Sequence, residues 1–285
     1  MIELRNLDTL QWTKVIISTV IEDFLMNNKP YTVLPDGKII SEMLLLFAKQ
    51  TNLLESFLIL MENNHAEEAV IIFRSILNNA MIIQYLSTGD TEYRFKNYKA
   101  QPLKAAIKKL KNYKFVIDKD WFENTDVTTP MSIEEVEAKI ESIKEELINR
   151  GLTNSNGEAN LSLLNIRNLA ESDLLLFSMY AQFYDMASKF EHSDPSCLEI
   201  YKEPIDEQTP TEIAYIINLN KTNIELYDEI MFMTISIYGI TFVKLLEYIK
   251  NNIPDLIQKQ SEPSLALLCE EFEFFIENKN IKKPV

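Results

Sequence analysis

Apolar residues recur along most of this chain at intervals of three and four positions, which is the spacing of an amphipathic α-helix. Residues 8–28 show the pattern clearly, with Asp8 in position to cap the helix. The same spacing predicts helices at 40–62, 65–87, 91–114, 132–151, 162–171, 173–191, 221–251 and 263–279. The sequence therefore predicts an all-α fold, a multi-helix bundle with long helices, and at most a minor β-hairpin around the Pro-Asp-Gly turn near 31–40.

Two predicted helices differ from the rest in their balance of apolar and charged residues. Residues 65–87 are apolar on nearly every face, which predicts a position at the centre of the bundle. Residues 132–151 open with a capping box, Ser132 and Glu135, and carry many charges around a narrow apolar stripe. We therefore expect this charged helix to project from the bundle or to cover it only lightly. The expected organisation is one α-helical domain over 1–285, with a core at about 40–250, the inserted helix 132–151 and a C-terminal helix at about 263–279.

Composition narrows the classes of function. Only five of the 285 residues are glycine, which favours long helices over a β protein with many turns. The net charge of −15 argues against broad binding of nucleic acid, because such binding depends on Lys and Arg contacts to phosphate. Cys197 and Cys269 stand alone, without the spacing of a disulfide framework or a zinc site.

The expected location is the cytoplasm. Charged residues, among them Glu3, Arg5 and Lys14, interrupt the first twenty positions, so these do not show the pattern of a signal peptide. The apolar run 230–243 has fourteen residues, too few to span a bilayer as a helix. We therefore expect this run to be a buried core helix and expect no membrane partner.

Arg74 lies in the middle of the most apolar predicted helix, with Asn78 one turn later on the same face. A buried guanidinium keeps its charge and needs carboxylate, carbonyl or phosphate partners. One interpretation is an internal arginine that ties this helix to its neighbours. The other is a hook for an anion or phosphate, and both remain open at this point.

Tyr180, Tyr184, Ser188 and His192 follow one another at intervals of four, which keeps them on one side of a helix. Aromatic residues of a helical core produce this spacing, and so does a binding site with two phenols, a hydroxyl and an imidazole on one wall. We therefore treat these four residues and Asn78 as candidate binding residues.

His192 closes that row just before Asp194 and Pro195, which stop the helix. We expect its ring to turn towards the bundle, so that His192→Ala would lower stability if the role is structural. Glu191, His192 and Asp194 are residue types that bind metals, but no second spaced set accompanies them. We therefore expect no metal and no cofactor.

A basic segment follows the central helix. Lys104, Lys108 and Lys111 recur there at helical spacing and are candidate binding residues. A solvated helix face explains them, and a contact with RNA is the alternative.

Several of these stretches together resemble a known family. They are "FRSILNNAMIIQYL" (73–86), "YRFKNY" (93–98) and "IRNLAESDLLLFSMYAQFYDMASKFEHSDP" (166–195), and they resemble the bacterial and archaeal family catalogued as domain of unknown function 5677. The matching positions are Arg74, Ser75, Arg94, Phe95, Tyr98, Leu169, Ala170, Tyr180, Tyr184, Ser188 and His192. Where that family often has an acidic residue, this chain has Asn78. The resemblance implies an all-helical bundle and implies no particular activity.

A tyrosine-rich helix that ends on histidine is also similar to the HEPN superfamily, many members of which are RNA-cleaving toxins and antiviral effectors. In their catalytic motif four to six residues separate an arginine from the histidine that follows it, and the corresponding positions before His192 are Ala187, Met186 and Asp185. Only an arginine from another helix, such as Arg74, could replace it. This resemblance implies His192 and Arg74 as the catalytic pair if the protein is an enzyme.

Three hypotheses follow for the function. The first is a binding or regulatory protein with a polar pocket between helices 65–87 and 173–192, linked to prokaryotic antiviral defence or toxin systems. The second is a metal-independent HEPN-like ribonuclease. The third is a structural subunit that uses 132–151 as its interface. The expected partner is another protein or a second copy of the chain, with RNA as the weaker alternative.

Overall fold

The computed structural model describes residues 4–25, 37–119, 131–171, 173–192, 194–208, 210–211, 213–218, 224–256 and 262–278. The chain divides into two compact units. The main unit comprises Met1–Ser87 and Leu169–Val285, and the inserted unit comprises Thr88–Asn168. The expectation of a single domain over 1–285 stays a prediction.

The described chain is mostly helical, which confirms the predicted all-α fold. The helices are α1 (Thr9–Val20), α2 (Lys38–Glu62), α3 (Ala66–Ser87), α4 (Thr91–Lys99), α5 (Gln101–Asp118), α6 (Ile133–Asn149), α7 (Ile166–Ala170), α8 (Leu174–Met179), α9 (Asp185–Glu191), α10 (Pro195–Leu198), α11 (Ile224–Asn252) and α12 (Glu262–Glu277). Two π-helical turns, Ile21–Leu25 and Tyr180–Tyr184, and three 3-10 turns, Leu4–Asn6, Glu199–Tyr201 and Pro254–Leu256, complete the helical part. The strands β1 (Lys202–Pro204) and β2 (Tyr215–Ile217) form one antiparallel ribbon.

The core of the main unit lies where α2, α3 and α11 pack on one another. The predicted central position of helix 65–87 is confirmed, because α3 contacts both of these helices and α9. Buried aromatic rings fill the centre, with Phe47 stacked on Tyr238 at 5.0 Å between ring centroids. One pair of polar side chains in this core is satisfied internally, since the Thr51 and Tyr238 hydroxyls lie 2.9 Å apart.

The two ends of the described chain meet around Glu271 of α12, which is fully buried. Its carboxylate accepts hydrogen bonds from Trp12 Nε1 at 3.3 Å and from Arg5 Nε at 3.0 Å. Trp12 also stacks on Phe275, with 5.0 Å between the ring centroids. A buried carboxylate with two donors therefore joins α1 to α12.

The inserted unit has a small core of its own between α5 and α6, which includes Ile107, Val136, Ile140 and Leu147. The predicted capping box is confirmed, because the Ser132 side chain and the N3 carboxylate make both reciprocal hydrogen bonds. The expectation that 132–151 projects from the bundle stays a prediction.

Helix breaks account for most differences from the sequence prediction. The predicted helix 91–114 is two helices that meet at Ala100, because Pro102, the second residue of α5, is accepted in the first turn of a helix but not in the interior of a continuous one. The predicted helix 162–171 is reduced to α7, and the predicted helix 173–191 contains a π-helical turn. Between the predicted helices 173–191 and 221–251, the described chain contains α10, β1 and β2. The hairpin predicted near 31–40 falls mostly outside the described residues, and its last three positions begin α2.

Three described helices are long and apolar enough to cross a membrane by length and composition: Lys38–Glu62, Ala66–Ser87 and Leu226–Asn252. The run 230–243 is thus part of a helix longer than its own fourteen residues. This finding leaves the expected cytoplasmic location as a prediction.

Candidate functional site

Arg74 lies on α3 where this helix packs against α9, so the structure brings together two of the stretches that the sequence singled out. Its Nη2 donates to the Tyr184 hydroxyl at 3.0 Å, and its Cζ lies 4.5 Å from the centre of the Tyr184 ring. Its Nη1 contacts the carboxylate of Glu191. The guanidinium is therefore held by a phenol, an aromatic face and a carboxylate.

An aromatic stack supports this arrangement from the side of α8 and α9. The rings of Tyr180 and Tyr184 are 4.6 Å apart, and those of Phe177 and Tyr180 are 6.4 Å apart. The π-helical turn Tyr180–Tyr184 carries both tyrosines. Such turns are frequent at functional sites, because the extra residue in the turn changes the direction of the side chains that follow. Here the turn lies directly before the helix that carries Glu191.

Several buried polar atoms at the site have no hydrogen-bond partner among the described residues. They include Arg74 Nε, a donor, Asn78 Oδ1, an acceptor one helical turn later on α3, and the Nδ2 donor of the adjacent Asn79. Arg74 Nη1 also makes no hydrogen bond, so its contact with Glu191 is an ion pair. Buried polar atoms without partners are uncommon in folded proteins. The site therefore has hydrogen-bonding capacity left after its internal contacts are made.

The carboxylate that pairs with Arg74 comes from Glu191 rather than from α3. The side chain of Glu191 is 41% exposed, while that of Arg74 is 19% exposed. The guanidinium is thus mostly enclosed and its acidic partner reaches into solvent.

His192 ends α9, as expected, but the prediction that its ring turns towards the bundle is wrong. Its side chain is 71% exposed, and its Nε2 lies 3.9 Å from Glu191 Oε2. The reason is local, since His192 has φ −97° and ψ 9° and no longer follows the helix. The row of side chains at intervals of four therefore ends at Ser188, which is half-buried and whose carbonyl accepts from the His192 amide at 3.0 Å.

Asp194 has a structural role in the turn after α9. Its Oδ1 accepts from the Ser196 hydroxyl at 2.6 Å and from the Ser196 amide at 2.9 Å, and these bonds hold the pKa of Asp194 below its usual value. Asp194 therefore caps α10. Among the residues that the structure describes, no group of three His, Cys, Asp or Glu could hold a metal ion.

A cavity of about 670 Å³ opens beside α9, on a different face from the one that carries Glu191 and contacts Arg74. It is lined by Ala181, Gln182, Asp185, Met186, Lys189, Phe190, Ser196, Cys197, Glu199 and Leu226. None of the candidate residues from the sequence lines it. The Arg74 site is thus distinct from this cavity.

The three candidate lysines do not form one surface. Lys104 is 2% exposed, and its Nζ donates to Asn97 Oδ1 at 2.7 Å and to the Ser162 carbonyl at 2.9 Å. Burial lowers the pKa of Lys104. The prediction of a solvated lysine at this position is therefore wrong, because Lys104 anchors the loop around Ser162 to α5. Lys108 and Lys111 are exposed.

Sequence reasoning missed Glu191 as the partner of Arg74. The available signal was its position seven residues after Tyr184, which places both side chains on one face of a helix. It also missed the hydrogen bond of 2.7 Å from the Tyr201 hydroxyl to Glu68 Oε1, which joins the β-ribbon to α3. No local pattern indicates that second contact.

Comparison with known proteins gives one match. A family model described as "Family of unknown function (DUF5677)" matches residues 43–208. These include most of α2 and all of α3 and α9, and therefore Arg74, Tyr184 and Glu191. No curated protein and no solved structure matches the chain.

Proposed function

This chain belongs to the family of unknown function DUF5677, and we propose that it acts as a binding or regulatory protein that takes an anionic ligand at Arg74. The observation that carries the proposal is the unequal exposure of the pair Arg74–Glu191. The arginine is mostly enclosed, and the carboxylate that contacts it is the more exposed partner. A carboxylate or phosphate group of a ligand would make the same charge-assisted contacts as Glu191.

The remaining contacts of Arg74 favour such an exchange. The Tyr184 hydroxyl and ring hold the guanidinium from one side whether or not Glu191 is in place. The unpaired Arg74 Nε would donate to the ligand, and Asn78 Oδ1 would accept from a ligand hydroxyl, such as the P–OH of hydrogen phosphate. Glu191 therefore acts as an internal competitor, and its removal should strengthen binding by roughly five- to tenfold.

Titration calorimetry with inorganic phosphate and with succinate tests this proposal. Glu191→Ala should bind one of these probes more tightly than the wild type does, and Arg74→Gln should lose binding. Asp185→Ala is the matched control, because Asp185 is an exposed acid on the same helix that pairs with Lys189 instead. Equal affinity of the wild type and Arg74→Gln, with both variants folded by thermal melting, would overturn the proposal.

A HEPN-like ribonuclease is the second candidate, and one observation favours it. His192 Nε2 lies 3.9 Å from the same Glu191 oxygen that contacts Arg74, so a histidine and an arginine flank one carboxylate. A phosphate in place of that carboxylate would meet a general acid or base and a charge-stabilising group. The link to antiviral defence or toxin systems rests on the resemblance to HEPN proteins.

Incubation with total RNA and expression in a bacterial host test the second candidate. His192→Ala should abolish cleavage and toxicity while it changes the free energy of unfolding by less than about 0.5 kcal/mol, because the side chain is exposed. His65→Ala is the control for loss of an imidazole elsewhere. If wild type and His192→Ala are equally inactive on RNA, the ribonuclease hypothesis is wrong.

We also propose that the three apolar helices pack in a bundle in the cytoplasm and do not cross a membrane. The outward face of α2 supports this, since Lys49, Asn52 and Glu55 are exposed there. Charged side chains facing lipid would cost several kcal/mol. Cell fractionation with alkaline carbonate should leave the protein in the supernatant, and recovery in the membrane pellet would contradict the proposal.

A further inference from the structure

The β-ribbon of the main unit presents a set of large apolar side chains to solvent. All three residues of β2 are exposed, with Tyr215 at 48%, Ile216 at 54% and Ile217 at 66%. Ile205 and Ile213 beside them are 52% and 76% exposed. Contiguous exposed apolar residues of this kind mark sites of interaction.

The backbone of β2 is paired on one side only within the described part of the chain. The Asn218 amide donates to the Tyr201 carbonyl at 2.9 Å, and the next pairs are Lys202 with Ile217 and Glu203 with Ile216. Hydrogen-bonded and non-hydrogen-bonded pairs alternate in an antiparallel ladder, so the amide and carbonyl of Ile216 face β1. Those of Tyr215 and Ile217 therefore point to the opposite edge.

The two edges of the ribbon are not equivalent. On β1, Pro204 has no amide hydrogen, and this interrupts the outer edge. On β2, the three residues Tyr215–Ile217 include neither proline nor a charge, the usual features that block an edge strand. The open edge of β2 is therefore the one that can accept a further strand.

Hydrogen bonds within the main unit fix the position of the ribbon without a partner. The Tyr201 hydroxyl bonds to Glu68 of α3 at 2.7 Å, and the Asn218 side chain donates to Glu203 at 2.7 Å across the ribbon. A strand that adds to a fixed edge pays less ordering entropy than one that adds to a mobile loop.

Charge indicates the kind of strand that fits. Residues 199–218 contain five Asp or Glu and one lysine, Lys202, which pairs with Glu199 at 2.6 Å. A second copy of the chain would bring two acidic ribbons together, and like charges across a sheet are destabilising. A strand with basic residues has complementary charge.

We propose that the open edge of β2 binds an extended segment of another protein, in which apolar residues alternate with Lys or Arg, as a third strand of the ribbon. The backbone of Tyr215 and Ile217 supplies the hydrogen bonds. The apolar side chains of the segment cover Tyr215 and Ile217, which share one face of the ribbon. Its basic side chains lie on the opposite face, which carries Glu203.

Fluorescence anisotropy with a labelled peptide of about eight alternating lysine and valine residues tests the proposal. The wild-type protein should bind this peptide, and higher salt should weaken binding. A glutamate–valine peptide and a peptide methylated on alternate backbone nitrogens should bind at least roughly tenfold more weakly. Failure of the lysine–valine peptide to bind, or equal binding of the methylated peptide, would overturn the proposal.

Two variants at one position separate the backbone from the side chain. Ile217→Pro removes the outward amide and should weaken binding roughly tenfold, while Ile217→Thr keeps that amide and should retain most of the affinity. If Ile217→Pro does not fold, the methylated peptide on the wild-type protein decides. A wild-type dimer in sedimentation that Ile217→Pro converts to a monomer would show that the edge pairs with a second copy, which would contradict the proposal.

Discussion

Single buried polar side chains fix how elements of the main unit pack on one another. Tyr238 sits in the centre of α11, and burial raises its pKa well above the usual value of 10.0. Glu271 joins the first and last helices, and Arg74 is held by side chains of two different elements. Removal of the partner of any of these groups should lower the free energy of unfolding, because a buried donor or acceptor is then left unpaired.

The raised pKa of Tyr238 predicts a loss of stability at alkaline pH. An unfolded tyrosine ionises near pH 10.0, whereas the buried one keeps its proton. Its contribution to the free energy of unfolding is therefore fully present below that pH, and it falls by about 1.4 kcal/mol per pH unit as the pH rises towards the raised pKa. Urea unfolding at several pH values should show that wild type loses stability faster than Tyr238→Phe does. Phe272→Leu is the control, because it keeps Tyr238 and should lose stability with pH in parallel with the wild type. A pH dependence of Tyr238→Phe that is also parallel to the wild type would contradict the prediction.

Removal of the Glu271 carboxylate should destabilise the main unit. Glu271→Ala leaves the Trp12 indole N–H and the Arg5 guanidinium without their acceptor, so we expect a loss of about 2–3 kcal/mol in chemical denaturation. Glu273→Ala removes an exposed acid from the same helix and should change stability by less than about 0.5 kcal/mol. Similar losses for the two variants would show that the buried contacts matter little.

The packing of helices in the main unit depends on a close approach between α11 and α12 and on a π-helical turn. Gly239 lies in α11 where the ring of Phe272 crosses it, and a Cβ at this position would lie 2.5 Å from Phe272 Cδ1. The π-helical turn between α8 and α9 likewise comes before the helix whose last residue, Glu191, contacts Arg74. Neither feature follows from helix propensity.

Gly239→Ala should lower the free energy of unfolding by about 1–2 kcal/mol. The gain in helix propensity, about 1 kcal/mol, is smaller than the cost of overpacking against Phe272. Phe272→Ala in the same chain removes the Cγ and Cδ1 atoms that the new methyl group would meet. A double-mutant cycle by thermal or chemical denaturation should therefore show a coupling between the two positions. Additive effects would contradict a direct contact.

Charge is distributed unevenly over the whole chain. Residues 88–168 contain thirteen Lys or Arg and thirteen Asp or Glu, so the entire excess of 15 acidic residues lies in the main unit. The inserted unit has its own small core between α5 and α6. We therefore expect the two units to differ in their response to salt and in their local stability.

A substitution that creates a cavity in the core of the inserted unit should leave the main unit folded. Leu147 is fully buried, so Leu147→Ala should destabilise the inserted unit by about 3 kcal/mol. Hydrogen exchange measured by mass spectrometry should show lost protection in α5 and α6, with protection of α2, α3 and α11 unchanged. Glu145→Ala, an exposed change on α6, should alter neither. Loss of protection throughout the chain would show one cooperative unit instead.

Local interactions explain what could be predicted from the amino-acid sequence alone. Apolar periodicity depends only on residues three and four apart, and it predicted the helical fold and the central position of α3. The Asp8 cap and the capping box at Ser132 depend on neighbours three residues away, and both formed as expected. Arg74 and Tyr184 were named from the sequence, and the structure brings them together.

Contacts between distant elements decided the rest. Glu191 faces Arg74, Lys104 is buried, and His192 turns to solvent. These outcomes depend on how each helix is rotated against its neighbour and on the residue at which it ends. The spacing of apolar residues at three and four positions determines neither the rotation nor the end of a helix. A helical pattern shows which side chains share a face, but packing decides what that face meets.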